Sequence, residues 1–231
     1  MIASANNDRE FYIVDFDRTL ADTDKLNDVF FAIVEQYAII SRQELKKADE
    51  DVKRQGDSFD TAGYVRDKLR DSGRSHDWQR LEKQYIHESH SLNMLLPGAA
   101  ELLAYFASHD LRYGILTYGN PLWQRLKLAA AGFNHVPRII MTNKEKGRLV
   151  RSWQQPDKTF VLPSEFGGGV ADVITMIDDK AVSFGDFPYA PSRGYWVLDS
   201  AHELPSQQGS VPSNVIRLTA LTEVMDFIQT S

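Results

Sequence analysis

The chain has 231 residues, no cysteine, a formal net charge of −6 and a pI near 5.5. Disulfides, thiolate metal sites and a cysteine nucleophile are thereby excluded, and an acidic chain without a basic block is a poor partner for nucleic acid or an anionic membrane. With 42% hydrophobic and 25% charged residues it has an ordinary globular composition, and it is long enough for one core plus a small accessory domain.

Residues 1–10 contain no apolar signal core, and no apolar run reaches the roughly 18 residues of a membrane span. The expected location is cytoplasmic, with no membrane and no nucleic acid as partner. Phe11–Val14 reads as a buried strand. At its mouth stand Asp15, Phe16, Asp17, Arg18 and Thr19, so two carboxylates lie one residue apart where a hydrophobic strand surfaces.

Residues 24–93 change character. Leu26, Val29, Phe30, Ile33, Val34 and Tyr37 form one helical stripe. Ser41, with Glu44 three residues on, marks a second helix start. Tyr64 and Leu69, then Trp78, Leu81, Tyr85 and Ile86, predict further helices, separated by a loop at 70–77. This block carries no strand pattern. From Leu95 the pattern alternates: a helix from Pro97 to His109, a strand over Tyr113–Thr117, a helix from Pro121 ending at Gly132, and a strand over 137–142. Strands at 172–179, 194–199 and 214–218 and a closing helix at 219–229 complete the chain. Alternating strands and helices predict an α/β fold with a doubly wound, Rossmann-like parallel sheet, interrupted after its first strand by an inserted helical segment.

In such a sheet ligands bind beyond the carboxyl ends of the strands. Those ends collect Asp15 and Asp17; Thr117, Tyr118, Gly119 and Asn120; Lys144 and Lys146; and Asp178 and Asp179. Clustered carboxylates need a cation, and an all-oxygen ligand set favours a hard ion, Mg²⁺ above others. A carboxylate can attack phosphorus. A lysine and a hydroxyl can hold phosphoryl oxygens, and a second carboxylate can move the proton. Each residue alone has a plainer reading, as a turn or capping acid, a turn threonine or a solvated acid pair. Other features are read plainly. His87 and His90 sit three apart on a helix surface, Gly167–Gly169 is a turn lacking the lysine of a phosphate loop, and the four tryptophans are packing residues.

The segment "DFDRTL" is similar to the DxDxT signature of the haloacid dehalogenase superfamily of hydrolases. "ILTYGN" resembles its second motif and "ITMIDDK" its fourth, in the same order and with a helical insert between the first two. The resemblance covers nearly the whole chain. It implies a catalytic core of residues 1–22 and 95–231 and an all-helical cap domain of 23–94. It makes Asp15 the nucleophile and Asp17 the general acid/base. Phe16, Thr117, Tyr118, Gly119 and Lys146 would be substrate-binding groups. Mg²⁺ would be held by Asp15, by Asp17 through its carbonyl and by Asp179, with Asp178 behind them. The acid at Asp17 argues against dehalogenase chemistry, because relatives with that activity lack it. The third-motif lysine is expected at Lys146, which closely follows the third strand, rather than at Lys144 or Lys158. Arg54, Tyr64, Arg66 and His87 are candidates to meet a leaving group. The expected function is a Mg²⁺-dependent phosphatase acting on a small phosphorylated metabolite through an aspartyl-phosphate. The alternatives are a phosphotransferase of the same superfamily, or a catalytically weak protein that binds phosphorylated ligands. The sequence assigns neither an individual substrate nor an oligomeric state.

Overall fold

The computed structural model describes residues 9–54, 58–198 and 211–229. Residues 1–8, read above for a signal core, and Asp199, expected at the end of a strand, lie outside the described residues. The main sheet contains β1 (Glu10–Val14), β2 (Tyr113–Tyr118), β3 (Arg138–Met141), β6 (Val173–Asp178), β7 (Arg193–Val197) and β8 (Val215–Leu218). Its strand order is β3-β2-β1-β6-β7-β8, and every pairing is parallel. A two-residue antiparallel pair, β4 (Phe160–Val161) with β5 (Val170–Ala171), stands apart from it.

Successive side chains of a strand point to opposite faces, and β1 shows the consequence. Tyr12 and Val14 join one hydrophobic core and Phe11 and Ile13 the other. The first core also takes in α5 (Ala99–Ser108), α6 (Pro121–Ala130) and α8 (Leu221–Gln229). The second contains Met141, Trp153, Phe160, Phe184 and Phe187. With both faces covered, the central strands can be almost wholly apolar, as the buried runs of β1 and β6 are.

Between β1 and α5 come α1 (Thr23–Gln36), α2 (Arg42–Arg54), α3 (Thr61–Asp71) and α4 (Asp77–His90). Their boundaries follow capping chemistry. The Asp22 carboxylate accepts from the Lys25 amide at 3.0 Å, the Ser41 hydroxyl from Glu44 at 3.2 Å and the Asp60 carboxylate from Gly63 at 2.9 Å. The chain leaves the sheet at Leu20–Asp22 and returns at Met94–Leu96. These two segments are hydrogen-bonded to each other, Asp22 N–H to Met94 O and Leu96 N–H to Leu20 O, each at 2.9 Å. Phe30 of α1 packs edge-to-face on Tyr85 of α4 and meets Trp123 of α6, with ring centroids 5.2 and 4.7 Å apart. The helical block therefore shares the first core through α6. No helix is long and apolar enough to cross a membrane among the described residues.

One close approach constrains the third-strand side of the sheet. Helix α7 (Lys146–Ser152) lies so near the turn at 181–187 that a Cβ on Gly147 would fall 2.3 Å from the Gly185 carbonyl oxygen and 2.9 Å from the Phe187 nitrogen. Both obstacles are backbone, so the helix itself must shift to make room. Gly147→Ala is expected to destabilise the protein by about 1–3 kcal/mol, the usual cost of overpacking. Thermal unfolding reads this as a loss of about 2–4 °C for each kcal/mol, and an unchanged melting temperature would show that α7 is not held this tightly.

Candidate active site

The strand order brings three of the sequence-predicted segments together, because β2, β1 and β6 are neighbours. Val14 pairs with Ile115 on one side and Ile177 on the other, and the Asp15 amide donates to the Ile177 carbonyl at 2.9 Å. Asp15 therefore emerges beside Asp178, and Thr117 follows on the adjacent strand. All three are buried.

Lys146, the first residue of α7, is buried against them. Its ammonium lies 2.6 Å from Asp15 Oδ1 and 2.6 Å from Asp178 Oδ2. Asp178 Oδ1 accepts from the Lys180 amide at 2.8 Å, and the Lys180 ammonium stands 3.7 Å from Asp179 Oδ1. Asp15 also accepts a long hydrogen bond from Thr19, at 3.4 Å. Carboxylate oxygens of Asp15, Asp178 and Asp179 lie within 4.8 Å of one another. An all-oxygen set this dense suits a hard divalent cation. The buried Thr117 hydroxyl has no hydrogen-bond partner among the described residues.

Among the three lysine candidates, geometry separates them plainly. Lys146 touches two of the acids. Lys144 lies over the Tyr118 ring at 5.6 Å and lines the cavity. Lys158 sits in a left-handed turn, φ 72°, beside the β4–β5 pair, and does not line the cavity.

Asp17 lines the same cavity but is held by a different set of partners. The chain turns at Arg18, which adopts a left-handed φ of 61°, and the Asp17 carboxylate is met by donors from α6 and from the start of α1. Lys127 Nζ and Thr23 Oγ1 donate to Oδ1, the latter at 3.0 Å, and Gln124 Nε2 donates to Oδ2 at 2.6 Å. Lys127 and Gln124 are both buried. Sequence reasoning missed them. The available signal was a lysine between Leu126 and Leu128 with a glutamine three residues before it.

The Gly119 amide and the Phe16 side chain are both engaged within the protein. The Gly119 N–H donates to the Met141 carbonyl at 2.9 Å, so this amide is engaged within the sheet, and Gly119 lines a neighbouring cavity rather than this one. Phe16 is wholly buried, its ring edge-on to Phe133. Asn120 caps α6 by accepting from the Leu122 amide at 3.0 Å.

The cavity over the cluster measures about 400 Å³. Its sheet side carries Asp15, Asp17, Thr117, Tyr118, Lys146 and Lys180, and its far side Asn27, Phe31, Asp49, Phe59 and Thr61 from the helical block. None of the four leaving-group candidates lines it. Arg54 pairs with Asp51 and Arg66 with Asp67 on the surface, and Tyr64 lines the neighbouring cavity. His87 lies on α4, away from both cavities.

Burial sets the charge states. Desolvation pushes the Asp15 carboxyl up, Lys146 opposes this and the Asp178 charge adds to it. Desolvation also pushes Asp179 up, to about 7, with Lys180 opposing and Asp15 adding to the rise. For Asp17, burial would raise the carboxyl, but the Lys127 charge and the Lys127 and Gln124 hydrogen bonds together hold it below the ordinary range. The Lys146 ammonium loses solvation, yet Asp15 and Asp178 outweigh that loss and hold its proton more firmly than usual.

The family of haloacid dehalogenase-like hydrolases matches residues 12–148. No curated protein matches the chain. A haloacid dehalogenase-like hydrolase from Burkholderia xenovorans is similar in structure with a TM-score of 0.62 at 17% identity, covering 94% of this chain and 98% of that one. A magnesium-bound hydrolase of the same superfamily from Bacillus subtilis has a TM-score of 0.54 at 14% identity, covering 95% and 98%. A Rhodobacter sphaeroides protein in complex with xylulose-1,5-bisphosphate has a TM-score of 0.50 at 14% identity, covering 93% and 96%. At these identities the likeness is one of fold.

The raised Asp179 carboxyl has a measurable consequence. The unfolded chain releases this proton near pH 4, whereas the metal-free folded protein keeps it to about pH 7. The folded state thus binds more protons across that window, and stability falls as pH rises through it. Asp179→Asn is therefore expected to raise the melting temperature of the EDTA-treated protein at pH 8, by about 2–4 °C per kcal/mol relieved. The gain should shrink as the pH is lowered toward 4. A gain independent of pH would contradict the assignment.

Proposed function

The chain belongs to the haloacid dehalogenase-like hydrolases, and we propose that within this family it is a Mg²⁺-dependent phosphatase that cleaves a small phosphomonoester through an aspartyl-phosphate on Asp15. The observation that carries this reading is the buried Lys146 ammonium held 2.6 Å from both Asp15 and Asp178, at the ends of adjacent strands and beside the Thr117 hydroxyl. A carboxylate nucleophile, a fixed cation and a hydroxyl donor on one rim are what phosphoryl transfer requires. The xylulose-1,5-bisphosphate complex of the similar Rhodobacter fold is consistent with a phosphorylated ligand.

In this reading an Asp15 carboxylate oxygen attacks phosphorus. The bond from phosphorus to the ester oxygen breaks, and that oxygen receives a proton through Asp17, which is ionised beside Lys127 and Gln124 and takes the proton up from solvent as the substrate binds. Water then attacks the phosphorus of the acyl phosphate and Asp17 takes a proton from it. The bond to Asp15 breaks and inorganic phosphate leaves. Thr117 donates to a phosphoryl oxygen, and Lys146 keeps Asp15 oriented while countering phosphoryl charge. Asp15, the Asp17 carbonyl and Asp179 would hold Mg²⁺, with Asp178 fixed behind them by Lys146 and the Lys180 amide. When bound, the cation neutralises the acidic cluster and the phosphoryl oxygens.

The helical block of residues 23–94 acts in this proposal as a cap on a core of residues 1–22 and 95–231. Two observations support it. Its residues line one side of the cavity, and its two connections to the core run side by side. A cap of this kind excludes bulk water from an acyl phosphate and supplies contacts to the leaving group.

The test is phosphate release from a broad panel of phosphomonoesters, in Mg²⁺ and in EDTA. Release is expected only with the metal, and Asp15→Asn should lower kcat/KM by a factor on the order of 10⁴ or more. Full turnover by that variant would refute the nucleophile assignment.

A further inference from the structure

We propose that Lys127 and Gln124 are positioning residues for Asp17, together fixing the orientation of the group that moves the proton. The inference rests on the reading of Asp17 as general acid/base. Three features of the structure carry it.

First, the contact is saturated and directional. Lys127 Nζ and Thr23 Oγ1 meet one oxygen of Asp17 and Gln124 Nε2 meets the other, so rotation about the carboxylate axis breaks at least one bond. Second, Lys127 is buried in a hydrophobic setting, its ammonium 5.7 Å from the Trp123 ring centroid and 5.9 Å from that of Phe16. A buried ion pair rarely stabilises a fold more than an apolar pair of the same size would, and the neighbours here would accept a methionine. It is thus the pair as a whole that stability does not require; with Asp17 in place, removing the lysine leaves a buried charge unpaired. Third, space has been left for the glutamine. A Cβ on Gly119 would lie 2.5 Å from Gln124 Nε2, and Gly119 has φ +148°. The same amide nitrogen donates to the Tyr118 carbonyl at 2.8 Å. Gln124 therefore ties Asp17 to the end of β2, one residue beyond Thr117, and sets the proton-moving carboxylate relative to the phosphoryl-binding hydroxyl.

The experiment compares wild type, Lys127→Met, Asp17→Asn and the double variant on two esters. One is an alkyl phosphate, whose leaving group needs a proton. The other is 4-nitrophenyl phosphate, whose leaving group does not. Lys127→Met is expected to lower kcat on the alkyl ester by roughly 10- to 100-fold, the effect of a displaced catalytic group, with KM changed far less. The loss on 4-nitrophenyl phosphate should be several-fold smaller. In the Asp17→Asn background Lys127→Met should cost nothing further. Equal losses on both esters, or the same loss with and without Asp17, would overturn the proposal and leave Lys127 a packing residue. If Lys127→Met does not fold, Gln124→Met and Gly119→Ala disturb the same arrangement while keeping the lysine, and the same two comparisons decide. A wild type that releases phosphate from no ester of the broad panel would refute the phosphatase reading and this inference with it. Cleavage of both esters without the coupling would refute this inference alone.

Discussion

Two ionised carboxylates cannot be buried side by side without a cation between them, and the active end of this protein is built around that constraint. Parallel pairing of β1 with β6 delivers Asp15 and Asp178 to the same rim. Their mutual repulsion in a medium of low polarity is large. Lys146 offsets it by standing within hydrogen-bond reach of both, and its place depends on α7 closing to backbone distance against the 181–187 turn at Gly147. A sheet register, a helix start and one residue without a side chain thus serve a single electrostatic requirement.

A second ion pair, Lys127 with Asp17, is built from different elements. The two acids of the first loop therefore answer to two lysines on helices that cover opposite faces of the sheet, α6 against the first core and α7 against the second. Lys146 follows β3 and engages Asp15. Lys127 lies in the helix after β2 and engages Asp17. Phe16, between the acids, is buried in the first core, which anchors the loop so that its neighbours diverge.

Much of this was legible in the sequence. Apolar runs bounded by acids or a threonine marked β1, β2 and β6, because a strand buried on both faces has little choice of residue and its end is where polar groups can appear. Lys146 was legible from its position after β3. Lys127 was not, because a lysine on a ten-residue helix ordinarily marks the solvent face, and only tertiary contact reveals that this one points inward. The block residues over the cavity were misjudged for a related reason. Polar helix faces around Arg54 and Arg66 looked suited to meeting a ligand, yet those side chains pair locally with neighbouring acids. The cavity wall is made instead by Asn27, Phe31 and Asp49, with Phe59 and Thr61 at the start of α3. Which of several polar stripes turns inward depends on how four helices pack, and periodicity does not contain that information.

The paired connections at Leu20–Asp22 and Met94–Leu96 bear on how such a protein can diverge. Because the two ends of the insertion are hydrogen-bonded to each other, the covalent connections meet the sheet as a tight hairpin would. Another module with closely spaced ends can take the place of the intervening seventy or so residues and keep the strand order and register, provided that it also covers α6, where Trp123 now meets Phe30. In the proposed reading, new specificities can then be acquired by reshaping one contiguous stretch of gene while the strand ends that carry the acids are kept.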